Sequence, residues 1–186
     1  MEMQGTRQLA VTQQQAWEGL NDPEVLKACI PGCDSIEATG ENAYDLVNAI
    51  KVGPVSAKFK GSIELSDIQP PESYTLVFEG NGGVAGFGKG SAQVRLLPSD
   101  GGCELHYSAN ATVGGKIAQV GQRLIDGVAK SMAESFFKRF EEEMQRRHGP
   151  QPEEGAQEEA KPGALKKMWG KLTGGGKDEP AAQGEA

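Results

Sequence analysis

The alternation of apolar and polar side chains sets the first reading. In VSAKFKGSIEL (55–65), Val55, Ala57, Phe59, Gly61, Ile63 and Leu65 share one face, and Ser56, Lys58, Lys60, Ser62 and Glu64 the other. A period of two marks a strand with one wet face. CELHYSANATV (103–113) repeats it, with Cys103, Leu105, Tyr107, Ala109, Ala111 and Val113 inward. Residues 3–11, 43–52, 73–79 and 84–97 are further strands, with QPPES (69–73) and PSDGG (98–102) as turns. Consecutive strands on short turns imply an antiparallel meander. QQQAWEGLND and DPEVLKACI predict two short helices after the first strand. Asp22 caps the second, Pro23 sits in its first turn, and IPG (30–32) stops it. After GG (114–115) the period lengthens to three or four. Ile117, Val120, Leu124, Val128, Met132, Phe136 and Phe140 predict one long amphipathic helix to about Arg147, ended by GPQP (149–152).

An apolar sheet face and an apolar helix stripe bury each other. The expected fold is therefore α+β: a curved antiparallel sheet of about seven strands around a long C-terminal helix, with two short helices after strand 1. One domain is expected over 1–148, followed by a low-complexity linker (149–162), an amphipathic helix (163–173) and a polar tail (174–186).

Small residues interrupt the inward faces. Ala57, Gly61, Ala92, Ala109 and Ala111 mix with Phe59, Tyr74, Phe78 and Tyr107, and NGGVAGFGKGS (81–91) holds five glycines where a strand is expected. Sharp bends need such residues. They also leave space between sheet and helix, and the two readings are compatible. Strand parity puts Phe59, Phe78 and Tyr107 in the wall of that space. Helix spacing adds Ile117, Val120, Gly121 and Leu124. Asn48, Tyr44 and Tyr107 are the candidate polar groups in an otherwise apolar cavity. Phe87 has the wrong parity relative to Ala92 and Val94 unless a bulge intervenes.

Charge narrows the partners. The chain has 186 residues, 19 basic and 26 acidic side chains, and a net charge of −7. No basic stripe precedes residue 160, so nucleic acid is not an expected partner. No run of about 20 apolar residues offers a bilayer span. MEMQGTRQLAV has no basic head followed by an apolar core, and three cysteines are an odd number, so a cytoplasmic setting with reduced thiols is expected.

Catalytic and metal constellations are weak. Cys29 and Cys33 form C-x3-C, but only Cys103 remains as a further thiol, so no metal site is expected. Their simpler roles are to end a buried helix and to start a strand. His106 points outward, and His148 complements the dipole at a helix C-terminus. The G-x-G at 86–88 lacks the strand–loop–helix setting of a dinucleotide site. No catalytic residues are assigned. Tyr107, Tyr44 and Asn48 suit hydrogen bonding to a carbonyl rather than a nucleophile–base pair.

GALKKMWGKL (163–172) stands out in the polar tail. Leu165, Met168, Trp169 and Leu172 form one helical stripe, with Lys166, Lys167 and Lys171 opposite. Tryptophan at an apolar boundary facing lysines is the pattern of an interfacial helix, so attachment to a membrane surface is expected. Docking in a partner's groove and packing on its own domain are the alternatives. The preceding spacer would reach roughly 20 Å as a flexible coil.

DPEVLKACIPGCDSIE (22–37), VGPVSAKFKGSIEL (52–65), GKGSAQVRLLP (88–98) and VGGKIAQVGQRLI (113–125) occur in this order. Together they resemble the carbon monoxide dehydrogenase G-subunit family of the START-like, helix-grip superfamily, over about residues 1–145. The resemblance implies a seven-stranded sheet gripping a C-terminal helix, no catalytic residues and no covalent cofactor. It further implies an accessory role beside a molybdenum-containing carbon monoxide dehydrogenase or a relative, at the inner face of the cell membrane. The carried ligand it implies is a respiratory quinone, menaquinone, shuttled between membrane and enzyme. A recruitment or assembly factor without bound quinone is the alternative, and a cyclase- or hydrolase-type enzyme a more distant one.

Overall fold

The computed structural model describes residues 1–149. The amphipathic helix and tail expected beyond them, and all of the linker after Gly149, lie outside the described residues. The chain opens with strand β1 (Glu2–Leu9), then α1 (Gln13–Leu20) and α2 (Pro23–Cys29). Each helix starts where a side chain satisfies its free N–H groups. Thr12 accepts from the Gln15 backbone while the Gln15 side chain returns the bond, and Asp22 accepts from the Glu24 N–H at 2.8 Å.

Six strands follow: β2 (Cys33–Gly40), β3 (Ala43–Val52), β4 (Val55–Gln69), β5 (Ser73–Asn81), β6 (Phe87–Ser99) and β7 (Gly102–Gly114). The long helix α3 (Gln122–His148) closes the domain. The sheet has seven strands in the order β1-β7-β6-β5-β4-β3-β2, so every hairpin neighbour pairs and β1 returns to the edge of β7. Inward parity in β4 and β7 falls as the alternation predicts: Phe59 and Leu105 are buried, while Lys58 and Lys60 are exposed.

The concave face meets α3 in two apolar clusters. At one end Leu9, Leu96, Phe140 and Met144 pack with Trp17 of α1 and Val25 of α2, and Trp17 lies edge-on to Tyr74 at 5.5 Å. Phe140 is wholly buried, so Phe140→Ala removes about 3–5 kcal/mol there. At the other end Val52, Val55, Phe59, Ala85, Ile117 and Ile125 form a second cluster. Arg147 ties the far end of α3 to the cap of α2 through Asp22 at 2.9 Å.

Two boundaries differ from the periodicity. The last helix starts at Gln122 rather than near Ile117, because Lys116–Val120 forms a 3₁₀ turn and Gly121 follows at φ 99°. That conformation is open almost only to glycine, and it resets the helical phase. The strand expected from residue 84 starts at Phe87, after a second 3₁₀ turn over Gly83–Ala85. Gly86, at φ 115°, makes this corner: a Cβ there would lie 2.1 Å from the Gly114 carbonyl oxygen.

A candidate ligand cavity

Between the concave sheet and the first half of α3 lies a cavity of about 380 Å³. Its floor follows from strand register. Gly61 of β4 pairs with Gly80 of β5, and Gly80 with Gly88 of β6. Three inward positions in one cross-strand row therefore carry no side chain, and the sheet leaves a hollow where it would otherwise fill its own core. Leu46 and Val113 end the row on β3 and β7. Phe59 and Phe78 stand beside it, each ring lying over another glycine: a Cβ on Gly82 would be 2.7 Å from the Phe59 ring, and one on Gly90 2.7 Å from Phe78. Ile117 of the 3₁₀ turn and Ile125, Val128, Ala129 and Met132 of α3 form the roof.

Glu79 borders the cavity from a strand position of outward parity, and one inward polar side chain breaks the apolar lining. Asn48, inward on β3 and opposite Phe59, is 7% exposed, and its Oδ1 has no hydrogen-bond partner. An unpaired buried polar atom costs about 1–3 kcal/mol, so it is ready to gain from a ligand partner. The carboxamide offers both functions: Nδ2 donates to a carbonyl, and Oδ1 accepts from a hydroxyl.

The expected site residues divide. Phe59, Phe78, Ile117 and Asn48 line the cavity. Tyr107, Val120, Gly121 and Leu124 do not. Tyr107 has the inward parity, but it lies farther along β7 and packs on Phe137 with centroids 5.1 Å apart, in the solid cluster. Val120 packs against the second cluster behind the wall. Gly121 is the exposed cap of α3, and Leu124 is 41% exposed because the helix phase puts Ile125 inward instead. Tyr44 is also elsewhere: its hydroxyl donates to the Asn21 carbonyl at 3.3 Å. Phe87 keeps the outward parity of an unbulged β6 and is 44% exposed, yet its ring swings over Gly114 and borders the cavity. Parity along single strands does not single out Gly80 and Gly88 as floor positions; only the pairing of three hairpins reveals the row.

A larger hollow of about 670 Å³ lies on the convex side of the same glycine row. Charged residues such as Glu37, Asp45, Lys60 and Lys89 line it, so the smaller apolar cavity is the better ligand site despite its size. Nucleophile chemistry finds little support. Burial pushes the Cys29 thiol up to about 11, and burial also raises Cys33 and Cys103. All three are thiols, not thiolates, at neutral pH. His106 lies on the outer face between Thr6 and Glu104. Among the described residues no cluster of His, Cys, Asp or Glu is arranged to hold a metal ion, and no helix is long and apolar enough to cross a membrane.

A sheet wrapped round a terminal helix, with an apolar hollow beneath it, defines a helix-grip protein. Solved structures agree on the fold. A conserved protein from Geobacillus kaustophilus is 37% identical, with a TM-score of 0.74, over 78% of this chain and 96% of its own. Proteins from Thermus thermophilus (16% identical, TM-score 0.62, 80% of this chain and 99% of that one) and Chromobacterium violaceum (12%, 0.60, 80% and 98%) share the fold alone. No curated protein matches the chain. The family model of CoxG, the G subunit of carbon monoxide dehydrogenase, matches residues 5–145, and the chain belongs to that family. Membership gives it an accessory role associated with the carbon monoxide dehydrogenase complex.

Proposed function

We propose that this domain is a carrier that takes a lipophilic ligand, menaquinone, from the membrane to the dehydrogenase and holds its head group at Asn48. The observation that carries the reading is the cavity: its inward side chains are apolar except for one buried, unpartnered carboxamide. A soluble catalytic centre that releases electrons needs an acceptor, and a polyisoprenoid quinone is insoluble in water. A volume of about 380 Å³ takes a bicyclic head and the first units of a tail, leaving the remaining isoprenoid chain at the mouth. Segment 163–173, outside the described residues, would tether the domain to the inner face of the cell membrane. The domain itself is non-catalytic in this reading.

The test is native mass spectrometry after incubation with menaquinone-loaded vesicles, with solvent extraction of any bound lipid. One quinone per chain is expected. Gly88→Leu should abolish uptake while the protein stays folded, because a Cβ at Gly88 has no neighbour nearer than 4.0 Å and the longer side chain enters the hollow. A wild-type protein that stays empty would move the weight to recruitment or assembly of the dehydrogenase.

A further inference from the structure

Three chain segments converge at the end of the domain beside the cavity. The β3–β4 turn touches the first turn of α3, since a Cβ on Gly53 would lie 2.8 Å from Leu124 Cδ2. The 3₁₀ turn Gly83–Ala85 abuts the start of the other 3₁₀ turn, where a Cβ on Gly115 would lie 2.6 Å from Gly86 Cα. Apolar surface faces water here: Val84 is 95% exposed at the tip of its turn, Phe87 44% and Leu124 41%. Side chains this apolar are left outside a core at a cost, and their grouping at one end of the domain points to a partner.

Charge identifies the partner. Segments 50–56, 82–88 and 114–124 contain no aspartate or glutamate, in a chain with 26 acidic residues and a net charge of −7. They do contain Lys51, Lys116 and Arg123, all exposed and none with an ion-pair partner among the described residues. The nearest acid in sequence, Asp126, accepts a hydrogen bond from Gln122 at 2.6 Å. The opposite end mixes the two signs, with Glu24, Glu141 and Glu142 exposed beside Lys27, Arg139 and Arg146. An acid-free ring of cations around exposed apolar tips matches a surface that is anionic outside and apolar within.

We propose that this rim is itself a membrane-docking face: Val84, Phe87 and Leu124 enter the interface of an anionic bilayer while Lys51, Lys116 and Arg123 contact its head groups, setting the cavity mouth on the lipid. The orientation rests on the carrier reading, but the docking does not require a quinone. It supplies a second attachment besides segment 163–173, and it explains how a cavity too small for the whole ligand loads without exposing the tail to water.

The experiment uses the full chain with Trp169→Ser and Lys166, Lys167 and Lys171→Gln, so that residual binding belongs to the rim. Partitioning is measured on vesicles of phosphatidylcholine and of phosphatidylcholine with an equal part of phosphatidylglycerol. Binding only to the anionic vesicles is expected. Adding Lys51→Gln, Lys116→Gln and Arg123→Gln should weaken it about fivefold per cation, on the order of a hundredfold together at low salt. An environment-sensitive dye on Val84→Cys should shift on those vesicles, and one on Leu97→Cys, at the other end, should not. Equal binding to both vesicles, no loss in the triple variant, or a rim that binds only the dehydrogenase overturns the proposal. Equilibrium dialysis with a tailless naphthoquinone separates the two readings. Failure of wild type to bind it counts against the carrier alone, and unchanged vesicle binding by the rim variants counts against the docking face alone.

Discussion

Asn48 carries the sharpest consequence at the scale of one residue. Its Oδ1 is buried and unpaired, so the empty protein bears a desolvation cost that no internal partner offsets. Asn48→Leu replaces it with an apolar group of similar size. The expected result is an empty protein as stable as wild type or more so, by up to about 1–3 kcal/mol, with at least tenfold weaker quinone binding. Denaturant titration and ligand titration together check this. A clear loss of stability would show that the carboxamide already has a structural partner. Leu124 and Ile125 show the limit of reading single residues. They are adjacent and both apolar, and the periodicity selects the wrong one. A 3₁₀ turn advances three residues per turn and α-helix 3.6, so a phase carried from Ile117 through Lys116–Val120 arrives rotated.

At the scale of elements, α3 is anchored where its charge cluster meets α2. Hydrogen bonds from Arg146 and then Arg147 hold the Glu143 carboxyl down to about 2, from an ordinary 4.5. Because the folded value is the lower one, this stabilisation is complete above about pH 4.5 and is lost as the pH falls from there toward 2. The Arg146 side of the cluster faces water, so the effect is about 1 kcal/mol, the scale of a surface ion pair. Glu143→Gln should flatten the acid limb of stability in that window, lowering stability by about 1 kcal/mol at neutral pH and converging with wild type near pH 2, as measured by unfolding free energy at stepped pH. A steeper limb in the variant would contradict the assignment. The strands are far more legible than the helix start. The alternation in 55–65 and 103–113 assigns inward faces correctly, since a period of two survives twisting and bending. It does not say how far along β7 the cavity ends, so parity alone puts Tyr107 in a wall although it lies against Phe137.

Across the whole molecule the two apolar clusters divide the work. The end under α1 and α2 is filled by Leu9, Leu96, Phe140 and Met144, all essentially inaccessible. The other end gives up packing to the hollow. Local opening should therefore be easiest at the 3₁₀ turns and the first turns of α3, and a ligand that binds only the closed form should suppress it. Hydrogen exchange with and without quinone is expected to show protection over residues 113–132 and 80–88, with little change in α1 and α2. Protection spread evenly over the domain, or confined to α1 and α2, would place the ligand elsewhere.

Local periods and turn residues along the chain are enough for the existence of the strands and helices, the antiparallel order of the meander, the inward faces of 55–65 and 103–113 and the family motifs, because these are relations between near neighbours in the chain. The site arises only on folding. Gly61, Gly80 and Gly88 become one floor only when three hairpins bring them into register, and Asn48 becomes an unpaired polar group only when everything around it is apolar. Likewise Lys51, Lys116 and Arg123 become one rim only when three distant loops converge. Each of these depends on distances between residues far apart in the chain, and a pattern read along the chain carries no such distance.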